Sequence, residues 1–228
     1  MHCAPLWYDF LTLKLLQFTA RAVLFDWDGT LLNSYAADVR AYLSMFHALE
    51  IDWTEREVAV HYSPNWHRVY TAAEIPRSKW LEADRLWARA YKLEKPPLLP
   101  GARHILRMLS AKFALGIVTS GNRARVRRQL REFALADYFS ACVCSEDAVE
   151  KKPHPAPLQL ALKRLRLAPE DCVYVGDTAE DIEMSRHASV RAIGVLGPFP
   201  TAARIRASKP EILLGSIRDL PRHLRTVG

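Results

Sequence analysis

Short apolar runs alternate with segments of helical period along most of the chain. The first run, Ala22–Phe25, ends abruptly in the polar stretch Asp-Trp-Asp-Gly-Thr. Five further apolar runs follow it, within residues 113–122, 139–147, 171–181, 189–197 and 211–215. Continuous apolar runs are typical of strands buried on both faces, as in parallel sheets. Because helical segments separate the runs, the sequence predicts an α/β fold with a doubly wound parallel sheet.

A helical insert interrupts this alternation directly after the first run. Residues 36–51 and 78–94 repeat apolar side chains with the period of a helix. Between them, Thr54 and Glu57 have the spacing of a capping box, which marks the start of another helix. The proline-rich stretch 96–101 closes the insert. We therefore expect a small all-helical cap over one edge of the sheet.

The chain is predicted to have three parts. Leu11, Leu15 and Phe18 recur at helical spacing before the first strand, so a short amphipathic helix is expected in an N-terminal lead-in. After the insert, the alternation of strand and helix resumes. The predicted parts are the lead-in 1–20, the cap 33–97, and a core formed by 21–32 and 98–228.

Composition narrows the classes of function. The chain has 228 residues, of which 50% are hydrophobic, enough for one large domain or a domain with an insert. Its formal net charge is +7, which favours anionic ligands, but the sequence has no RNP, zinc-finger or P-loop pattern. The positive charge therefore favours small phosphate-bearing molecules, or serves solubility alone, rather than nucleic acid binding. No segment predicts a membrane span. The four cysteines lack metal-ligand spacing and fit reduced thiols in a cytoplasmic protein.

Polar side chains follow the ends of several predicted strands. They are Asp26 and Asp28, Thr119 with Ser120 and Asn122, Lys152, and Asp177 with Asp181. Because the carboxyl ends of parallel strands meet at one edge of a sheet, we expect these side chains in one crevice. Carboxylate oxygens there suit Mg²⁺, and backbone amides at the start of a helix suit a phosphate. Taken alone, any one Asp-Gly pair could equally be an Asx-type turn after a strand.

Four motifs in order carry a resemblance to a known family. They are DWDGT at 26–30, VTSGN at 118–122, KKP at 151–153 and GDTAED at 176–181. The chain resembles the haloacid dehalogenase (HAD) superfamily over roughly residues 21–220, and in particular phosphohydrolases similar to phosphoglycolate phosphatase and β-phosphoglucomutase. This resemblance implies a HAD-like, Rossmann-like core with an inserted helical cap.

The resemblance assigns catalytic roles to four residues. Asp26 would be the nucleophile that forms an aspartyl-phosphate, and Asp28 would protonate the leaving oxygen and then activate water. Thr119 and Lys152 would hold the phosphoryl oxygens and offset their charge. Of the two adjacent lysines, Lys152 matches the motif better than Lys151 because it directly precedes the proline.

The resemblance also implies a metal site and a substrate site. Mg²⁺ would bind the carboxylate of Asp26, the backbone carbonyl of Asp28 and the side chain of Asp177, and Asp181 would complete the shell. The predicted substrate-binding residues are Ser120, Gly121 and Asn122 in the second motif, and His67 and Arg68 on a cap loop within 61–70. Residues 123–131 carry five arginines, and apart from Arg123 we expect them on a solvated helix face.

The expected function is Mg²⁺-dependent hydrolysis of a small phosphate monoester, phosphoglycolate-like or sugar-phosphate-like, through an aspartyl-phosphate. Two alternatives stay open: a β-phosphoglucomutase-like phosphosugar mutase and a non-catalytic HAD-fold binding protein. The expected partner is a small phosphorylated metabolite, with neither nucleic acid nor membrane. The protein is expected to be a monomer or a homodimer.

Overall fold

A six-stranded parallel sheet lies at the centre of the computed structural model, which describes residues 16–227. In chain order, the strands are β1 (Phe18–Ala20), β2 (Ala22–Phe25), β3 (Ala114–Val118), β4 (Ala141–Val143), β5 (Cys172–Gly176), β6 (Arg191–Val195), β7 (Ile212–Leu214) and β8 (Leu224–Thr226). The order across the central sheet is β4-β3-β2-β5-β6-β7, and each neighbouring pair is parallel. The predicted α/β class is confirmed.

Helices cover this sheet and form the insert. They are α1 (Tyr35–Ala48), α2 (Glu55–His61), α3 (Trp66–Ala72), α4 (Trp80–Tyr91), α5 (Ala102–Ser110), α6 (Arg123–Glu132), α7 (Ala156–Leu165), α8 (Ala179–His187) and α9 (Ala202–Ala207). The first four follow β2 directly, in the segment for which the sequence predicts a cap. Within residues 16–227, no helix combines the length and the apolar composition that a membrane crossing requires.

Both faces of the central sheet are packed against helices. Val23 and Phe25 of β2 belong to a hydrophobic core that includes side chains of α5 and α6. Ala22 and Leu24 belong to a second core with side chains of α7 and α8. Successive residues of a strand point to opposite faces, so one continuous apolar run contributes to two cores.

The register of the central strands brings their polar ends together. Phe25, the last residue of β2, is level with Ile117 of β3 and with Val175 of β5. The backbone N–H of Asp26 extends the ladder by donating to the Val175 carbonyl at 2.9 Å. The side chains that follow these three strands therefore lie at the same edge of the sheet.

The insert has a hydrophobic core of its own. Tyr42 and Phe46 of α1 stack with ring centroids 5.9 Å apart, and Phe46 lies 4.7 Å from the ring of Trp53. Thr54 and Glu57 form both hydrogen bonds of a capping box at the start of α2, which confirms that predicted helix start. These contacts give the helices α1 to α4 a packed interior over the sheet edge.

Phe18 lies in a strand, so its predicted place in an amphipathic helix is wrong. β1 pairs with β8 in a separate two-stranded parallel sheet, with Phe18 beside Leu224. Phe18 and Ala20 are buried and the residue between them is exposed, a period of two that is typical of a strand. The other two residues of the predicted helix, Leu11 and Leu15, lie outside the described residues.

Two helices, α3 and α9, lie where the sequence predicts none. The sequence predicts a loop between two helices for residues 61–70, with a helix start among packed aromatic side chains as the alternative, and the structure has the helix from Trp66. Its pattern becomes helical only once Val69 and Tyr70 are seen to be buried in the core of the insert. Packing, rather than local pattern, decides the structure of such a short segment.

Ser189, just after the end of α8, allows the cost of a left-handed backbone conformation to be measured. Its φ is 58°, a left-handed conformation that costs about 1–2 kcal/mol for a residue with a Cβ atom. Replacing it by glycine removes this cost, partly offset by the greater freedom of glycine in the unfolded chain. We expect Ser189→Gly to raise the free energy of unfolding by about 0.5 kcal/mol, measured by denaturant titration.

The matched control is Ser189→Ala, which removes the hydroxyl and keeps the Cβ atom. This variant should not raise the free energy of unfolding. A Ser189→Gly protein that is no more stable than the alanine variant would contradict a strained backbone at this position.

Candidate active site

A cavity of about 290 Å³ lies between the polar edge of the sheet and the helical insert. The core contributes Asp26, Asp28, Thr119 and Arg125 to its wall, and α1, α3 and α4 contribute aromatic side chains. Two polar strand ends and the start of α6 therefore face one space. Such a cavity at the carboxyl edge of a parallel sheet is where ligands of α/β proteins bind.

Lys152 is the buried cation of this edge. Its side chain is 2% exposed, and its Nζ donates to the Asp26 carboxylate and to the Asp181 carboxylate, each at 2.8 Å. The third hydrogen bond goes to the hydroxyl of Tyr174 at 2.9 Å. An ammonium has three N–H donors, so all of them are used. The neighbouring Lys151 instead donates to backbone carbonyls.

The carboxylates outnumber the cation that faces them. Burial raises the pKa of Asp26 to about 7; the Lys152 ammonium opposes this increase, and the charge of Asp181 adds to it. Burial and then the charges of Asp26 and Asp181 raise the pKa of Asp177 well above its ordinary value. One lysine therefore does not balance the negative charge, and a further cation would stabilise the ionised carboxylates.

Asp177 has a free oxygen for such a cation. Its Oδ1 accepts a hydrogen bond from the hydroxyl of Thr30 at 2.9 Å, whereas its Oδ2 is buried without a hydrogen-bond partner in the described residues. A Cβ atom on Gly29 would lie 2.3 Å from this Oδ2, and the φ of Gly29 is +83°. Glycine is therefore required at position 29 for the first motif to approach Asp177.

One side-chain oxygen from each of Asp26, Asp177 and Asp181 lies within 4.8 Å of the other two. The carboxylate of Asp181, however, already accepts four hydrogen bonds, from Lys152, from Tyr174 and from the N–H and hydroxyl of Thr178. Asp26 and Asp177 therefore fit a Mg²⁺ ion as direct ligands. The carboxylate of Asp181 instead binds Lys152 and forms the capping box at the start of α8.

The side chain of Asp28 points to a different partner. Arg125 of α6 donates to Oδ1 of Asp28 at 2.8 Å and to Oδ2 at 2.6 Å, a bidentate ion pair. The guanidinium is covered by the ring of Tyr91, 4.8 Å away, and by the ring of Trp87 at 5.9 Å. A Cβ atom on Gly121 would lie 2.5 Å from this guanidinium, so glycine leaves the space it occupies.

Two residues of the second motif, Thr119 and Asn122, have different roles: the first has a free hydroxyl proton and the second caps a helix. The hydroxyl oxygen of Thr119 accepts a hydrogen bond from the N–H of Gly121 at 3.0 Å, which leaves its proton available to a ligand. Asn122 caps α6 and donates to the carboxylate of Glu146, which also accepts from the N–H of Arg123. Glu146 thus occupies the start of the helix, where the sequence predicted bound phosphate.

The model of one family, described as haloacid dehalogenase-like hydrolase, matches residues 23–195 of the chain. The chain belongs to this family. Its relatives include the phosphoglycolate phosphatase of Yersinia pseudotuberculosis, which is 30% identical over 88% of this chain and 91% of the relative. The pyrophosphatase PpaX of Anoxybacillus flavithermus is 27% identical over 87% of this chain and 94% of its own length.

The solved structures show the same fold. The structure of a phosphoglycolate phosphatase, described as putative, from Lactobacillus plantarum matches with a TM-score of 0.81 at 21% identity. The match covers 90% of this chain and 99% of that one. The family and the relatives make this chain a haloacid dehalogenase-like phosphatase, which favours an enzyme over a non-catalytic binding protein.

His67 and Arg68 of this phosphatase lie away from the cavity at the sheet edge. They are on helix α3, not on the predicted loop, and line an outer groove of the cap together with Trp80. The ring of His67 stacks on Trp80 at 4.5 Å, and Arg68 lies 3.7 Å from Glu180. The structure therefore does not bring these two residues to the other predicted site residues.

Sequence reasoning missed several residues that shape the site. Arg125 was expected on a solvated helix face, but its side chain is 11% exposed, and the expectation is wrong for this residue. Nothing in the local sequence distinguishes Arg125 from the four other arginines of this segment or indicates that its side chain points toward Asp28. Thr30 and Tyr174 lie in or near the sequence motifs, but the sequence gives them no role. Only the folded structure shows that Thr30 donates a hydrogen bond to Asp177 and that Tyr174 accepts one from Lys152.

Asp177 gives a test of the charge imbalance. A carboxyl group whose pKa is higher in the folded state than in the unfolded state destabilises the fold increasingly as pH rises above the unfolded value. Without metal, Asp177→Asn should therefore raise the free energy of unfolding by about 1 kcal/mol at pH 7, and by less near pH 4. Denaturant titrations in EDTA at the two pH values measure this gain.

In the presence of Mg²⁺, the wild-type protein should be more stable than Asp177→Asn. A cation that binds only the folded wild-type protein raises its melting temperature, whereas the asparagine variant should gain little. Asp137→Asn, at an exposed position, is the matched control and should behave as the wild type does. Equal stabilisation of all three proteins by Mg²⁺ would contradict a metal site at Asp177.

Proposed function

We propose that this phosphatase hydrolyses a small phosphate monoester in a Mg²⁺-dependent reaction through a phosphorylated Asp26. The observation that carries the proposal is the position of the Asp26 carboxylate. It is buried at the end of β2, bound by Lys152 at 2.8 Å, and opens into the cavity under the cap. Because Lys152 holds this carboxylate in one orientation toward the cavity, less entropy is lost when it attacks a bound phosphate, which lowers the barrier.

The first chemical step is attack by Asp26 on the phosphorus atom. A bond forms between a carboxylate oxygen of Asp26 and phosphorus, and the ester bond from phosphorus to the leaving oxygen breaks. Mg²⁺ bound by Asp26 and Asp177 would offset the repulsion between the carboxylate and the phosphate. Lys152 and the free hydroxyl proton of Thr119 support the charged oxygens of the transferring group.

Asp28 supplies the proton for the leaving oxygen. In the second step it accepts a proton from water as the water oxygen attacks phosphorus, and the bond to Asp26 breaks to release phosphate. In the ion pair with Arg125 both oxygens of Asp28 are bound, so protonation requires that one of these hydrogen bonds be given up. Arg125 is therefore a positioning residue for Asp28.

The relatives support this class of reaction. A phosphoglycolate phosphatase and a pyrophosphatase are both similar to this chain over most of their lengths, and both names describe hydrolysis at phosphorus. We propose a small phosphorylated metabolite as the partner. Hydrolysis and mutase chemistry use the same core residues, and hydrolysis is preferred because the relatives are hydrolases.

Asp26→Asn is expected to abolish turnover. An amide is a poor nucleophile, so phosphate release from p-nitrophenyl phosphate should fall by about 10³-fold or more, and EDTA should have the same effect on the wild type. Acetyl phosphate should label the wild-type protein at Asp26 and leave the variant unlabelled.

The control for this experiment is Glu82→Gln, which removes an exposed charge from α4 outside the cavity. It should retain wild-type turnover. Metal-dependent hydrolysis by a folded Asp26→Asn protein would exclude Asp26 as the nucleophile. Turnover in EDTA equal to that in Mg²⁺ would exclude the metal.

A further inference from the structure

The cap side of the cavity is built from aromatic rings. Five of them line it: Tyr42, Tyr62, Trp66, Tyr70 and Trp87. The indole nitrogens of both tryptophans are buried without a hydrogen-bond partner in the described residues, so these N–H groups do not face the cavity. Aromatic faces carry partial negative charge and attract cations.

Two carboxyl groups stand among these rings. Asp38 of α1 and Asp84 of α4 both line the cavity. Asp84 accepts a hydrogen bond from the Tyr70 hydroxyl at 2.9 Å, and neither carboxyl group has an ion-pair partner within residues 16–227. Burial and the charge of Asp28 raise the pKa of Asp38 to about 8, opposed only weakly by Arg125, as expected of a carboxyl group without a close cation.

Two tyrosine hydroxyls face the same space. Tyr42 is 5% exposed and Tyr62 is 7% exposed, and both line the cavity. Neither hydroxyl forms a hydrogen bond in the described part of the chain. After burial, the charge of Asp38 is the largest cause that raises the pKa of both tyrosines, and all three side chains line the cavity. A hydroxyl that lines a cavity and has no protein partner is free to form a hydrogen bond with a ligand.

A negatively charged leaving group would find no free cation here. Among the described residues that line the cavity, Arg125 is the basic one, and both ends of its guanidinium fork are bound to Asp28. The acidic residues of the lining are Asp26, Asp28, Asp38, Asp84 and Glu146. A carboxylate on the substrate would therefore face the carboxyl groups of the cap.

We propose that the cap wall is a binding site for an organic cation, so that the substrate is a phosphomonoester of an amino alcohol with a protonated or quaternary amine. The proposal rests on the proposed function for the phosphoryl half of the substrate. The phosphate lies at Asp26 and Lys152. The amine lies among the aromatic rings, with Asp84 as its counter-charge. Asp38, whose raised pKa leaves it mostly protonated near neutral pH, becomes a second counter-charge because a bound cation lowers that pKa.

This assignment differs from the substrate in the name of the phosphoglycolate phosphatase relatives. Phosphoglycolate carries a carboxylate on a two-carbon leaving group, whereas phosphoethanolamine carries an ammonium on a leaving group of nearly the same size. The two esters therefore differ mainly in the sign of one charge. Glycerol 3-phosphate supplies an uncharged leaving group for comparison.

Equilibrium binding to the Asp26→Asn protein in Mg²⁺ measures this preference without turnover. The probes are phosphoethanolamine, phosphocholine, glycerol 3-phosphate and 2-phosphoglycolate, each titrated by calorimetry. We expect the better of the two cationic esters to bind about tenfold more tightly than glycerol 3-phosphate, and phosphoglycolate to bind most weakly. In the wild type, kcat/KM should follow the same order, mainly through KM.

Asp38→Asn and Asp84→Asn, each introduced separately, test the counter-charges. Each should reduce the ratio of affinities between the cationic ester and glycerol 3-phosphate by several-fold, because only the cationic ester loses a charge interaction. Glu82→Gln is the matched control, since it removes an exposed acidic charge from the same helix as Asp84, and it should leave the ratio unchanged. Two separate variants keep the test valid if one fails to fold.

The outcomes separate this proposal from the proposed function. Equal affinities for the four esters, or tightest binding of glycerol 3-phosphate, would overturn the cation site. Tightest binding of phosphoglycolate would overturn it too and would indicate that Arg125 exchanges Asp28 for the substrate carboxylate. Selective binding of a cationic ester by a wild type that hydrolyses no ester would support the site and overturn the phosphatase mechanism.

Discussion

The ammonium of Lys152 between the carboxylates of Asp26 and Asp181 is the contact on which the site depends. All three groups are buried, so removing Lys152 leaves two carboxylates without their cation in a medium of low polarity. Breaking a buried ion pair in this way costs about 3–5 kcal/mol. The triad forms only when β2, the start of α8 and the loop before α7 lie in register, so the sheet and the site require each other.

The insert contacts the core at several points beside the cavity. Ser63 donates a hydrogen bond to the buried carboxylate of Glu180 at 2.9 Å, and Arg204 of α9 donates to the Tyr62 carbonyl at 2.7 Å. The ring of Phe199 stacks on Tyr62 with centroids 4.3 Å apart. The segment between α2 and α3 is therefore held by the core, which positions Tyr62 of the aromatic wall over the sheet edge.

Much of the fold was predictable because apolar runs and helical periods are local signals. The site residues at strand ends were predictable because topology alone brings them to one edge. Non-local pairing was not: Phe18 becomes a strand residue only beside Leu224, at the other end of the chain. The partner of Asp28 was not predictable either, since Arg125 resembles its solvated neighbours until α6 packs against the sheet.

Arg125 belongs to the core, yet two rings of α4 cover its guanidinium while it binds Asp28. The cap therefore contributes to the surroundings of Asp28 through Arg125. Lifting α4 would expose the guanidinium to water and weaken its hold on Asp28, because ion pairs lose most of their strength when hydrated. The same two rings therefore limit the access of water to the guanidinium and strengthen its ion pair with Asp28.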